Sequence, residues 1–293
     1  MSGIGRCFSY FTLDRTMPSL RQFACLTLVA IVSLVCSPAN AQKVLYPLGI
    51  AVSGNKIFIS DKDSPAVWQV VDGKASLFFK GSRKFRTPLN AVRYLGIDKK
   101  GDLVAGDSAT RDIYRFVGAK PTALTKGAIG NPMGFAVNKA GDLIVANIEL
   151  HEIVKVPSGG GKPTRIGRVV APRGVFVDSK DNVWVVSGGN QPLQRFTPAG
   201  NKEVIIDKRV FGFPHDIVMD KEEKNIYISD GYGKAIWRIA GKGKPQKFAS
   251  GKPFSNPTCL AWHGKNLLVV DSRAKAVFSI DPKGKVTTLF QQK

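Results

Sequence analysis

Residues 221–239 read KEEKNIYISDGYGKAIWRI, and they decide how this chain folds. The run 225–230 (NIYISD) is rich in β-branched and aromatic residues and ends on Asp230. A polar, glycine-bearing step follows at 231–234 (GYGK), and 235–239 (AIWRI) begins a second run of the same kind. Two short apolar runs joined by turn residues describe antiparallel strands, because successive strand side chains alternate between faces and a turn needs residues with permissive backbones. No 3.6-residue apolar period, the mark of an amphipathic helix, is present here.

The phrase recurs along the chain. It is clear at 139–156 (KAGDLIVANIELHEIVKV) and 263–280 (HGKNLLVVDSRAKAVFSI), and shorter forms end at Asp61, Asp107 and Ser187. With Asn147, Asp230 and Asp271 these make six landmarks. Ahead of each stands a proline-led apolar segment: YPLGIAV, TPLNAVRY, NPMGFAV, APRGVFV, FPHDIVM and NPTCLAW. Their prolines, Pro47, Pro88, Pro132, Pro172, Pro214 and Pro257, are 41, 44, 40, 42 and 43 residues apart. Each unit holds four strand-like runs. Four strands per 40–45 residues is the period of a propeller blade, which shields strand edges by radial repetition. The sequence therefore predicts an all-β, six-bladed β-propeller of four-stranded antiparallel blades at about 46–85, 86–130, 131–169, 170–212, 213–255 and 256–293. The last blade closes either with 285–290 alone or with a strand added from 42–46.

The repeats leave 1–41 unaccounted for. Arg15 and Arg21 precede the apolar run 23–36 (FACLTLVAIVSLVC), and Ala39-Asn40-Ala41 follows, the pattern of a signal peptide cleaved after Ala41. Fourteen helical residues span about 21 Å, short of a roughly 30 Å hydrocarbon core, so no stable membrane insertion is expected after cleavage. Of the four cysteines, Cys7, Cys25 and Cys36 leave with this segment, and Cys259 remains without a disulfide partner. The whole chain has 293 residues and a formal charge of +21. Arg6, Arg15, Arg21 and Asp14 belong to the signal, so 42–293 keeps +19. A secreted or periplasmic protein meets little nucleic acid, and the expected partner of this charge is an anionic small molecule, a glycan or a protein. A monomer is expected.

The repeated phrase resembles the NHL repeat and its six-bladed relatives over the whole of 42–293. That resemblance implies the propeller fold but no single activity, since the architecture hosts lyases, lactonases and interaction platforms. The phrase 213–217 (FPHDI) is similar to a metal-binding blade phrase of peptidylglycine amidating lyases, and NIYISDGYGKAIWRI resembles an aspartate-bearing phrase of gluconolactonase-like propellers. These resemblances imply His215 and Asp216 as catalytic residues and His215, Asp216 and Asp230 as ligands for a divalent cation, calcium or zinc. The equivalent places in other blades hold Asn, Gly, Arg or Thr, so no cofactor is assigned.

Propeller geometry puts the residue pair after each repeated proline at one mouth of the central channel. Those pairs are Leu48-Gly49, Leu89-Asn90, Met133-Gly134, Arg173-Gly174, His215-Asp216 and Thr258-Cys259. His215 reads either as a packing residue of its blade or as a general base or ligand near neutral pH. The repeated acids read as turn residues that accept backbone N–H bonds, because a reactive residue would break the repeat as His215 does. Arg83, Lys84 and Arg86 stand between blades one and two, among basic residues that recur between blades. They read as solvated surface or as an electropositive funnel, with Arg173 placed to grip a carboxylate and Asn90 beside it. The favoured function is anionic-ligand or partner binding at this mouth; the alternative is a metal-assisted lyase or lactonase acting there.

Overall fold

The computed structural model describes residues 43–84 and 87–292, so the expected signal at 1–41 and the rim residue Arg86 lie outside the described residues. Six four-stranded sheets follow one another, each built from four consecutive strands in chain order. Blade five shows the local logic. Its strands are Pro214–Met219, Asn225–Asp230, Ala235–Ala240 and Gln246–Ser250. Ile226 and Ile228 of the second strand are buried, paired with Ile239 and Trp237 of the third. No helix occurs among the described residues.

The core is divided among the gaps between neighbouring blades. Ile50, Ile57 and Ile59 of blade one pack on Cys259, Leu268, Val270 and Val277 of blade six. Blades three and four share Ile144, Ala146, Ile153, Val175 and Val185, and blades four and five share Val186, Leu193, Ile217 and Ile228. Each fully buried Ile or Leu contributes about 1.5–3 kcal/mol of transfer free energy, so every blade-to-blade contact depends on both of its sheets. The ring closes by packing. The last sheet consists of Pro257–His263, Asn266–Asp271, Ala276–Ile280 and Val286–Gln291, with no strand from the N-terminal side. Val44 instead inserts into the core between the last and first blades, and Thr258 Oγ1 donates to the Leu48 carbonyl at 3.0 Å.

The four repeated acids tie their blades to the connections entering them. Asp61 accepts backbone N–H bonds from Leu45 and Tyr46, just before the first inner strand, and from Asp63 and Ser64 in its own turn. Asp271 does the same for Ser255, Asn256, Arg273 and Ala274. A carboxylate holding three or four backbone donors is charge-assisted at each bond, which explains why a short acid recurs there.

One blade departs from the proline alignment. The inner strand of blade two is Val92–Ile97, and Val92 pairs with Asp107 just as Pro47, Pro132 and Pro214 pair with Asp61, Asn147 and Asp230. Pro88 lies four residues upstream, in the connecting segment. The mouth pair of this blade is therefore Arg93-Tyr94 in place of Leu89-Asn90.

Candidate binding site at the channel mouth

With that register the six inner strands present two rings of side chains. The outer ring is Leu48, Arg93, Met133, Arg173, His215 and Thr258; the ring below it is Gly49, Tyr94, Gly134, Gly174, Asp216 and Cys259. Each strand has a register shift at or beside this pair, and such bulges re-aim side chains toward the axis. The lower ring is crowded. A Cβ on Gly174 would lie 2.6 Å from Asp216 Cα, and one on Gly134 would lie 2.6 Å from the Arg173 carbonyl oxygen.

The three larger residues of the lower ring plug the channel together. The Tyr94 hydroxyl of blade two crosses the axis and donates to Asp216 Oδ1 of blade five at 3.3 Å. Asp216 Oδ2 accepts from Cys259 Sγ at 3.1 Å and from the Leu260 backbone N–H at 2.9 Å, and Oδ1 also takes the Ile217 N–H. Asp216 is 1% exposed. Burial raises its pKa from 3.8 to about 6 even though these donors oppose the shift. Burial and the facing carboxylate also push the Tyr94 phenol and the Cys259 thiol upward.

Above the plug lies a cavity of about 370 Å³, within the range of small-ligand sites. Arg93, Arg173, His215 and Asn131 are in its wall, with Tyr46 and Phe213. The Arg93 Nε donates to Ser108 Oγ at 3.1 Å. The Arg173 guanidinium sits 3.9 Å above the Phe213 ring, which stacks in turn on Tyr232. Burial and the charge of Arg93 lower the Arg173 pKa, and neither arginine has a carboxylate partner among the described residues. His215 packs edge-on against Phe213, and burial followed by the Arg173 charge depresses its pKa to about 3, so it is neutral. Its Nε2, the Arg173 Nε and the Asn131 Oδ1 have no hydrogen-bond partner among the described residues.

The remaining sequence candidates are elsewhere. Asn90 precedes the inner strand of blade two; its backbone N–H is held by Asp107 and its side chain donates to the Lys84 carbonyl. Arg83 and Lys84 are exposed on the loop between blades one and two, with Arg83 donating to the Asp63 carbonyl at 2.7 Å. Asp230 is consumed by the Gly212, Phe213 and Gly233 N–H groups and by Trp237 Nε1. His215, Asp216 and Asp230 thus do not assemble as a ligand set. Among the described residues no group of three or more His, Cys, Asp or Glu is placed to hold a metal, and no metal-assisted step is derived. Arg93, Tyr94 and Asn131 are the residues that sequence reasoning missed.

The fold and its mouth define a six-bladed β-propeller with an arginine-lined central cavity. No family model and no curated protein matches the sequence. The structure is similar to virginiamycin B lyase from Staphylococcus aureus, with 19% identity, TM-score 0.65, and 86% of this chain and 86% of that one covered. It is also similar to a chain of a nidogen/laminin complex, with 17% identity, TM-score 0.70 and 81% and 93% covered. A gluconolactonase from Xanthomonas campestris matches with 14% identity, TM-score 0.65 and 78% and 84% covered. The likeness is one of fold. It spans proteins named as enzymes and one solved in a protein complex, so function has to be argued from this chain's own residues.

Proposed function

We propose that the protein is an exported propeller that binds a small anionic, carboxylate-bearing ligand in the mouth cavity, gripped by Arg93 and Arg173. The observation that carries this reading is the pairing state of the two guanidiniums. They come from blades two and four, burial and the Arg93 charge both disfavour the charged form of Arg173, and neither has an acid partner among the described residues. An unpaired, largely desolvated cation is expensive to maintain, and a bound carboxylate would remove that cost through bidentate bonds. Neutral His215 supplies an unpartnered ring nitrogen beside it, and Phe213 holds the Arg173 plane in place. The exposed Arg83 and Lys84 stand outside the cavity, where they contribute long-range attraction.

The test is calorimetric titration at low salt with a panel of mono- and dicarboxylates, phosphate and sulfate. At least one carboxylate is expected to bind, and Arg173→Lys, which keeps the charge but loses the planar fork, should weaken it about 10- to 100-fold, the equivalent of roughly 1.5–3 kcal/mol. Absence of binding by every carboxylate, or unchanged affinity in Arg173→Lys, refutes the reading.

A further inference from the structure

The strands of each blade run so that the connections between blades and the turns after second strands surround the mouth. Four of the large apolar side chains left exposed on the molecule stand on these loops along one arc, from blade three to blade five. Leu150 is 58% exposed, Val170 66%, Val210 42% and Tyr232 65%. Local contacts hold these loops together in two adjacent pairs. Val169 N–H donates to the His151 carbonyl and Ala171 N–H to His151 Nδ1, which fixes the Leu150 loop beside the Val170 loop. A Cβ on Gly212 would lie 3.2 Å from Tyr232 Cβ, so the Val210 and Tyr232 loops are likewise adjacent.

Cations alternate with these tips. Arg168, Lys208, Arg209 and Lys234 are exposed on the same arc, and none takes part in an ion pair among the described residues. The exposed acids there are Asp207 and Glu149, and Glu149 is already bound to Arg111. We infer that this arc is a docking surface for an anionic lipid bilayer. The choice of a bilayer over an acidic protein follows from how the apolar groups are arranged. A protein interface buries a contiguous, well-packed apolar centre, whereas these four side chains stand on four separate loops, three of which also carry exposed cations. Separate apolar tips can enter the headgroup boundary while flanking Lys and Arg meet lipid phosphates, and tyrosine is favoured at that depth. This is attachment to a surface, and no helix among the described residues is long and apolar enough to cross a membrane.

Cosedimentation of the purified protein with vesicles tests the inference. Binding is expected to vesicles of mixed phosphatidylglycerol and phosphatidylcholine but not to phosphatidylcholine alone, and should weaken as salt is raised. Leu150→Asp combined with Val170→Asp should lower partitioning at least about tenfold. A control pair on outer strands, Leu77→Asp with Val204→Asp, should leave it unchanged. Circular dichroism melting of both pairs confirms that they fold. Lack of binding to the anionic vesicles at low salt, or equal behaviour of the two pairs, overturns the inference. So does dextran sulfate binding as tightly as the vesicles and indifferently to Leu150→Asp/Val170→Asp, which would identify a soluble polyanion as the partner. Neither substituted residue lines the mouth cavity, so the carboxylate titrations stand or fall separately.

Discussion

Replacing Asp216 by asparagine makes the channel plug's proton measurable. The carboxyl titrates near 6 in the folded chain against an ordinary 3.8, so the folded state holds a proton that the unfolded state has released between those values. Stability therefore falls as pH rises through this window, and the fall is complete above about pH 7. A shift of about two units corresponds to roughly 3 kcal/mol. Asp216→Asn cannot ionise and escapes that loss. It carries a pH-independent cost of its own, because the fixed N–H groups of Ile217 and Leu260 point at different carboxyl oxygens and one of them must then face the amide NH2. That cost is about 1–3 kcal/mol, so the two proteins differ little in absolute stability at neutral pH. The informative quantity is the pH dependence of their difference. His215, depressed to about 3, destabilises both proteins as pH falls below its ordinary 6.5 and cancels in the comparison. Urea unfolding followed by tryptophan fluorescence from about pH 4 to pH 7 should show Asp216→Asn gaining about 3 kcal/mol relative to the unaltered protein. A difference that is flat, or that slopes the other way, refutes the argument that the plug carries a desolvated carboxylate.

The repeated acids give a sharper contrast. Asp107→Ala strips the partner from the backbone N–H groups of Asn90, Ala91 and Ala109 at a fully buried site, and should cost about 3–5 kcal/mol in the same unfolding assay. Asp63→Ala, at an exposed turn position, should stay within about 0.5 kcal/mol, and equal small losses would deny the repeated acids their structural role. Export predicts that the protein recovered outside the cytoplasm begins at Gln42; sequencing that finds an intact Met1 terminus there would refute cleavage after Ala41.

The architecture was legible because it is written six times, whereas the site was not, because it is made where the repeat fails. Prolines located five inner strands and misplaced the sixth. Pro88 stands 19 residues before Asp107, while Pro47 stands 14 before Asp61 and Pro132 stands 15 before Asn147; only Val92 restores the interval. The landmark acids were the safer ruler, since each is tied by its own hydrogen bonds to the residues just before the inner strand, whereas a proline is merely tolerated at a strand's first position. Once Val92 is the anchor, the mouth of blade two becomes Arg93-Tyr94, and the meaning of the odd residues changes. Glycine occupies the lower ring where backbones crowd, in three blades, so the other three must put their side chains into the axis. A tyrosine, an aspartate and a cysteine there have one mutually satisfying arrangement, with the acid accepting from both donors. The contact between Tyr94 and Asp216 joins positions 122 residues apart, which no local pattern can announce. The same contact binds Asp216 into the floor of the cavity whose wall holds His215 and Arg173, so adjacent residues of one strand divide between plug and wall.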